Sequence, residues 1–194
     1  MKQVILIRHA ATDLAGVLCG HIDPPVNQTG QQQMAALVRR LRHQNIDWLY
    51  TSDLRRALQT AEAISVSRGI PAHARQDLRE ISFGAWEGLR WASVHPHSAE
   101  YPAIGAPGGE SWHDFTARVV AALHDITSSD SQQIAIVTHL GVIRTAFTEL
   151  AAIDRRSELL RQISYCSAHS FQVDRHNWTL VKQRRGEACL VFKT

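Results

Sequence analysis

Gln3-Val4-Ile5-Leu6-Ile7 is an apolar, β-branched run that ends abruptly in Arg8-His9. A run of that length and composition reads as a strand buried on both faces, with its polar end emerging from a sheet. Ile134-Ala135-Ile136-Val137 repeats the pattern and also ends in a histidine, within Thr138-His139-Leu140-Gly141. Between them strands and helices alternate. Asn27 can cap a helix from about Gln28 to His43, with Met34, Leu37, Val38 and Leu41 at helical spacing. Ile46 to Tyr50 reads as a strand, and Thr51-Ser52-Asp53 supplies cap residues for a helix from about Leu54 to Arg68 that Gly69 and Pro71 end. A short strand is expected near Ala72 to Arg75. Ser111 opens a helix to about Ile126, and helices over Val142 to Leu150 and Arg155 to Ile163 precede strands at Ser170 to Val173 and Thr179 to Gln183. Leu190 to Phe192 can pair with the last of these.

This order predicts an α/β fold, a three-layer α/β/α sandwich whose mostly parallel central sheet is finished by an antiparallel edge. The 194 residues suit one domain, expected to span 1–194. Residues 10–26 and 78–109 are rich in glycine and proline, and so long an irregular stretch as the second is expected to cover a site. Specificity should reside in residues 13–26 and 83–106.

Composition narrows the function. The apolar run at the N-terminus, Val4 to Ile7, is too short for a signal-peptide core, and no stretch has the roughly 18 apolar residues of a membrane span. A cytoplasmic protein with no membrane partner is expected. Cys19, Cys166 and Cys189 are odd in number and widely spaced, which fits neither a disulfide framework nor a zinc cluster. The net charge is +3, and 21 Lys and Arg are interspersed with 18 acids, so no basic stripe calls for nucleic acid. A pI near 9.0 does suit a small anion. Of the eleven histidines, His95-Pro96-His97 has a spacing seen in metal sites, yet no acidic or thiolate partner accompanies it. Neither metal nor cofactor is expected.

In open α/β sheets ligands bind beyond the carboxyl ends of the strands, where His9 and His139 are both delivered. There, Leu6-Ile-Arg-His-Ala-Ala-Thr12 resembles the signature of the histidine phosphatase superfamily, the phosphoglycerate mutase-like proteins of its branch 1. The likeness continues through Asp23-Pro-Pro-Val-Asn-Gln-Thr-Gly30, Ser52-Asp-Leu-Arg-Arg-Ala-Leu-Gln-Thr-Ala61, Leu78-Arg-Glu-Ile-Ser-Phe-Gly-Ala-Trp-Glu-Gly88, Pro107-Gly-Gly-Glu-Ser111 and Val137-Thr-His-Leu-Gly-Val-Ile-Arg144. The resemblance implies His9 as nucleophile, Arg8, Arg56 and His139 as phosphate-pocket partners, and Glu80 as proton donor. Counted from Ser52, the matching arginine is Arg56, while Arg55 should face solvent or an acidic neighbour. Glu87 is the other candidate acid, and His21 and Gly20, in the loop after the nucleophile, are candidate substrate contacts.

Chemistry agrees with these roles. A phosphate monoester is a dianion, and arginines offer fixed charge and paired donors. The Leu140 amide, near a helix start, can add one more. Imidazole attacks only when neutral, which neighbouring guanidinium groups favour. The leaving alkoxide needs a proton from a carboxyl group. The chain departs from the family where Ala10-Ala11 replaces Gly-Glu, where Ala15 stands at a common asparagine, and where Leu140 stands at a common glycine. Its size and Pro107-to-Ser111 segment look like those of the small phosphatases, including those acting on α-ribazole phosphate. A small phosphorylated metabolite is the expected partner, with a homodimer possible. Phosphoglycerate mutase-type transfer and a phospholigand binder that has lost turnover are the alternatives.

Overall fold

The computed structural model describes residues 1–94, 106–155, 157 and 161–181. Six strands form one sheet: β1 (Lys2–Arg8), β2 (Trp48–Ser52), β3 (Ala72–Arg75), β4 (Gln133–Thr138), β5 (Ala168–Asp174) and β6 (Asn177–Leu180). Their spatial order is β3-β2-β4-β1-β5-β6. The first four are mutually parallel, and β5 and β6 run antiparallel at one side. Five helices accompany them among the described residues: α1 (Gln28–Leu41), α2 (Arg55–Arg68), the short α3 (Trp91–Val94), α4 (Trp112–Ser128) and α5 (Leu140–Thr145), the last continued by a wider π-turn, Ala146–Leu150.

The alternation of side chains along a strand builds two cores from one sequence. Val4 and Leu6 point to the face covered by α4 and α5, where they meet Phe115, Leu123, Ile136 and Phe147. Ile5 and Ile7 point to the other, where α1 and α2 supply Leu37, Ala57, Ala61 and Ile64. Val4 to Ile7 and Ile134 to Val137 are at most 2% exposed, the signature of strands covered on both faces. The three layers follow.

Register then places the chemistry. Arg8 lies opposite Thr138 on neighbouring parallel strands. The amide of His9 donates to the Thr138 carbonyl at 2.9 Å, so His9 and His139 leave the sheet side by side. Asn27 caps α1 by accepting from the Gly30 amide at 2.8 Å, and Ser111 caps α4 by accepting from that of Asp114 at 3.0 Å.

The sequence reading shifts in four places. Thr51 and Ser52 belong to β2 rather than to a helix cap, and Leu54 precedes α2 with no side-chain cap bond. The helix after β4 begins at Leu140, two residues before the expected Val142, and His139 sits at its cap position. Its second half widens into the π-turn. The expected strand Ser170 to Val173 lies within the longer Ala168–Asp174, while the last strand, Asn177–Leu180, begins two residues before the expected Thr179 because the turn falls at Arg175-His176, and the expected end at Gln183 lies outside the described residues. The expected helix over Arg155 to Ile163 lies partly outside the described residues, and the pairing of Leu190 to Phe192 lies wholly outside them. No described helix is long and apolar enough to cross a membrane.

Candidate active site

A cleft of about 750 Å³, measured out to open solvent, lies beyond the carboxyl ends of β1 and β4. Its charged and titratable lining is Arg8, His9, Cys19, Arg56, Glu80 and Tyr165, and Leu140 lines it too. The rings of His9 and His139 are tilted, with centroids 5.1 Å apart. Arg56 projects from the first turn of α2 and is 2% exposed, whereas Arg55 is exposed and its amide donates to Asp23.

The hydrogen bonds fix which nitrogen does what. His9 Nδ1–H donates to the carbonyl of Ala10 at 2.7 Å, which leaves Nε2 of a neutral ring bare, with its lone pair available. Burial holds His9 well below the usual imidazole range, and the charges of Arg56 and then Arg8 push the same way. His139 is held low for the same reasons, burial first, then Arg56, His9 and Arg8. Both rings are therefore uncharged at neutral pH. Ser52 Oγ lies 2.8 Å from His139 Nε2 and also accepts the Leu54 amide at 3.3 Å. The tautomer in which the hydroxyl donates to Nε2 carries the single ring proton of His139 on Nδ1. That atom is buried without a hydrogen-bond partner, as are Nε of Arg8 and Nε of Arg56. Arg8 and Arg56 line the cleft, where such donors suit an oxyanion, whereas His139 is fully buried and is not among the lining residues.

Arg56 is anchored by two main-chain oxygens, Nη1 donating to the Ile22 carbonyl at 2.7 Å and Nη2 to that of Gly20 at 2.8 Å. Arg8 donates to the Ile163 carbonyl at 2.6 Å, and its guanidinium lies 4.0 Å from the centre of the Tyr165 ring. Both guanidinium planes are thus oriented before any ligand arrives.

The two candidate acids separate. Glu80 lines the cleft, its oxygens accepting from the amides of Ile81 at 3.1 Å and Gly141 at 3.2 Å. A Cβ at position 141 would press on this carboxylate, so a larger residue there would have to displace the end of the Glu80 side chain. Glu87 is not a lining residue. Its Oε1 accepts from the amides of His21 at 2.8 Å and Phe83 at 3.2 Å, tying loop 10–26 to the segment after Glu80. Gly20 lines the cleft, with φ +46 and no room for a Cβ against Glu87. The His21 ring lies 3.0 Å from the Glu80 carbonyl oxygen, outside the lining, where it steadies the backbone that carries the acid.

The departures from the family pattern are accommodated. The amides of Ala10 and Ala11 donate to Thr60 Oγ1 and Gln33 Oε1, each at 3.0 Å, and Ala15 is exposed outside the lining. Among the described residues no three His, Cys, Asp or Glu side chains converge as a metal site, and His95-Pro96-His97 lie outside those residues. Ser52, Thr12 and Tyr165 were not singled out from the sequence. Ser52 stood within a quoted motif, and Thr12 within the first one. Tyr165 is delivered by long-range pairing, the Cys166 amide donating to the carbonyl of Arg8 at 3.0 Å, and had no local signal.

The profile of the histidine phosphatase superfamily (branch 1) matches residues 4–185. The chain belongs to that superfamily. An adenosylcobalamin/alpha-ribazole phosphatase of Salmonella typhimurium is 29% identical, over 95% of this chain and 92% of its own. A metal-independent phosphoserine phosphatase of Arabidopsis thaliana is 30% identical, over 82% of this chain and 73% of its own. The solved structure of Bacillus stearothermophilus YhfR superposes with a TM-score of 0.81 at 28% identity, covering 93% of this chain and 95% of that one. With this family and these phosphatase relatives, the chain is a phosphoric monoester hydrolase of phosphoglycerate mutase-like fold.

Proposed function

We propose that hydrolysis runs through a phosphohistidine on His9. The observation that carries this reading is the bare Nε2 of a buried, neutral imidazole beside two guanidinium groups. In the first step Nε2 attacks phosphorus and the bond to the substrate's ester oxygen breaks, while Glu80 in its acid form protonates that oxygen and the alcohol departs. In the second, water attacks the phosphohistidine, Glu80 takes its proton, and inorganic phosphate and His9 are regenerated. Arg8, Arg56, the Nδ1–H of His139 and the amide of Leu140 hold the equatorial oxygens, where fixed charge supplies most of the rate. Neither step needs a metal.

The substrate is a small phosphorylated metabolite that touches Gly20 and the mouth of the cleft. α-Ribazole phosphate is one candidate, supported by the near full-length match to an α-ribazole phosphatase. Mutase-type transfer would instead require a second alcohol to outcompete water.

Mixing the protein with a reactive phosphoryl donor, with chelator present, tests the reading. Wild-type protein should gain one acid-labile phosphate by mass spectrometry, His9→Ala none, and phosphate should be released from metabolite esters by the wild type alone. Substantial hydrolysis by folded His9→Ala would remove the nucleophile. Phosphoglycerate isomerisation outrunning phosphate release would favour the mutase.

A further inference from the structure

The carbonyl of Ala10 decides which nitrogen of His9 is bare, so the group that aims this carbonyl bears on the reaction. Ala10 and Ala11 have no polar side-chain atoms, and both are buried together with His9. The peptide joining them is planar and trans, so its carbonyl and its N–H point in opposite directions. The carbonyl accepts from His9 Nδ1 at 2.7 Å, and the N–H, on Ala11, donates to Gln33 Oε1 at 3.0 Å. Holding one end of such a plane fixes the direction of the other.

Gln33 reaches this peptide from the inner face of α1. Gly30, Gln33, Leu37 and Leu41 recur there at helical spacing as the buried stripe, and Gln33 is its polar member. The first turn of α1 is docked on the same place, since the Asn27 amide donates to the Ala11 carbonyl at 3.0 Å and a Cβ on Gly30 would collide with that oxygen. The preceding peptide is pinned separately. Its N–H, on Ala10, donates to Thr60 Oγ1 at 3.0 Å, and its carbonyl, on His9, accepts from the Cys166 amide at 3.3 Å. The bond from Gln33 acts on the plane that touches the imidazole.

We infer that Gln33 is a positioning residue for the nucleophile: by accepting from the Ala11 amide it turns the Ala10 carbonyl onto Nδ1 of His9 and keeps Nε2 bare at the cleft. This rests on the hydrolase reading above. What position 33 must supply is an acceptor. Gln33→Glu keeps one at nearly the same place in either protonation state, and Gln33→Leu removes it.

In Gln33→Leu, kcat for propyl phosphate should fall about 5- to 10-fold, the bias that one net hydrogen bond supplies. KM should stay within about twofold, because the arginines that grip the dianion are untouched, and Gln33→Glu should recover most of the lost rate. Nitrogen correlation spectra of histidine-labelled protein, with His9 assigned by its loss in His9→Asn, should show the proton on Nδ1 in wild type and in Gln33→Glu, and mixed tautomers in Gln33→Leu. If Gln33→Leu does not fold, Gln33→Met, closer in length, takes its place. A Gln33 that only stabilises the fold would lower the urea midpoint and leave both the tautomer and kcat in place. That result, a wild-type proton on Nε2, or equal losses in Gln33→Leu and Gln33→Glu overturns the inference, and the hydrolase reading stands so long as phosphate is released. If the spectra follow the expected pattern and no ester is turned over, the hold of Gln33 on the imidazole stands and the hydrolase reading falls.

Discussion

Ser52→Ala removes one oxygen from a site where Ser52 and His139 are both fully buried. In the native protein the Ser52 hydroxyl accepts from the Leu54 amide and lies 2.8 Å from His139 Nε2, and the prediction is that it donates there, which leaves the proton of the neutral ring on Nδ1. Without the hydroxyl, the Leu54 amide and Nε2 are both orphaned, at a cost of about 1–3 kcal/mol of stability. The ring also loses the bond that chose its tautomer. A net hydrogen-bond contribution of about 1 kcal/mol corresponds to a roughly fivefold bias, so kcat/KM should fall about 5- to 10-fold. Deleting the donor altogether, in His139→Ala, should cost roughly a hundredfold or more. Ser52→Thr keeps a hydroxyl and should recover much of the loss. Long-range nitrogen correlation spectra of histidine-labelled protein read the tautomer directly, with His139 assigned by its absence in His139→Asn. Native protein showing the proton on Nε2, or Ser52→Ala retaining the native tautomer and rate, would refute the reasoning.

Glu80→Gln keeps the shape but cannot deliver a proton, and should slow alkyl phosphates at least tenfold more than aryl phosphates, whose leaving groups need little help; equal losses in steady-state release assays would remove Glu80 from that role. Gly141→Ala should displace the Glu80 carboxylate and lower kcat by an order of magnitude or more with little change in helix content by circular dichroism, because its Cβ collides with that group; an unchanged kcat would mean that the placement of Glu80 is unimportant. Acid should destabilise the fold before most carboxylates titrate. His9 and His139 have folded values pushed below the unfolded value near 6.5, and burial lowers His169 to about 4. The unfolded chain therefore binds more protons in that window, and stability falls as pH drops below about 6.5, by up to about 1.4 kcal/mol per ring for each pH unit. Urea melts at pH 7, 6 and 5 give the measurement, and equal midpoints would contradict it.

Much of this was legible in advance where local pattern and global fold coincide. The abrupt ends of two apolar runs placed His9 and His139 at the mouth of a parallel sheet, because only strands covered on both faces are apolar throughout. The resemblance, counted from Ser52, implied Arg56 inside and Arg55 outside, and the structure agrees, the two neighbouring helix positions pointing about 100° apart. The failures are equally physical. Ser52 looks like a helix cap because a cap and a strand-end turn use the same hydroxyl-to-amide bond, and here that bond does form, to Leu54, from the last residue of β2. The expected helix start at Val142 falls two residues late, because the glycine at 141 lies inside the helix beside the Glu80 carboxylate, at a position where helix propensity alone is unfavourable. Tyr165 reaches His9 through pairing of segments more than 150 residues apart, which no local window contains.

Among the described residues, Arg56 grips its loop by the carbonyls of residues 20 and 22. Backbone oxygens are present whatever side chains flank them, so residues such as Leu14 and Val17 are free to be exchanged without loosening the guanidinium below. A designer wishing to retarget the enzyme could therefore rewrite those side chains wholesale, provided Gly20 keeps its backbone shape and the loop its length.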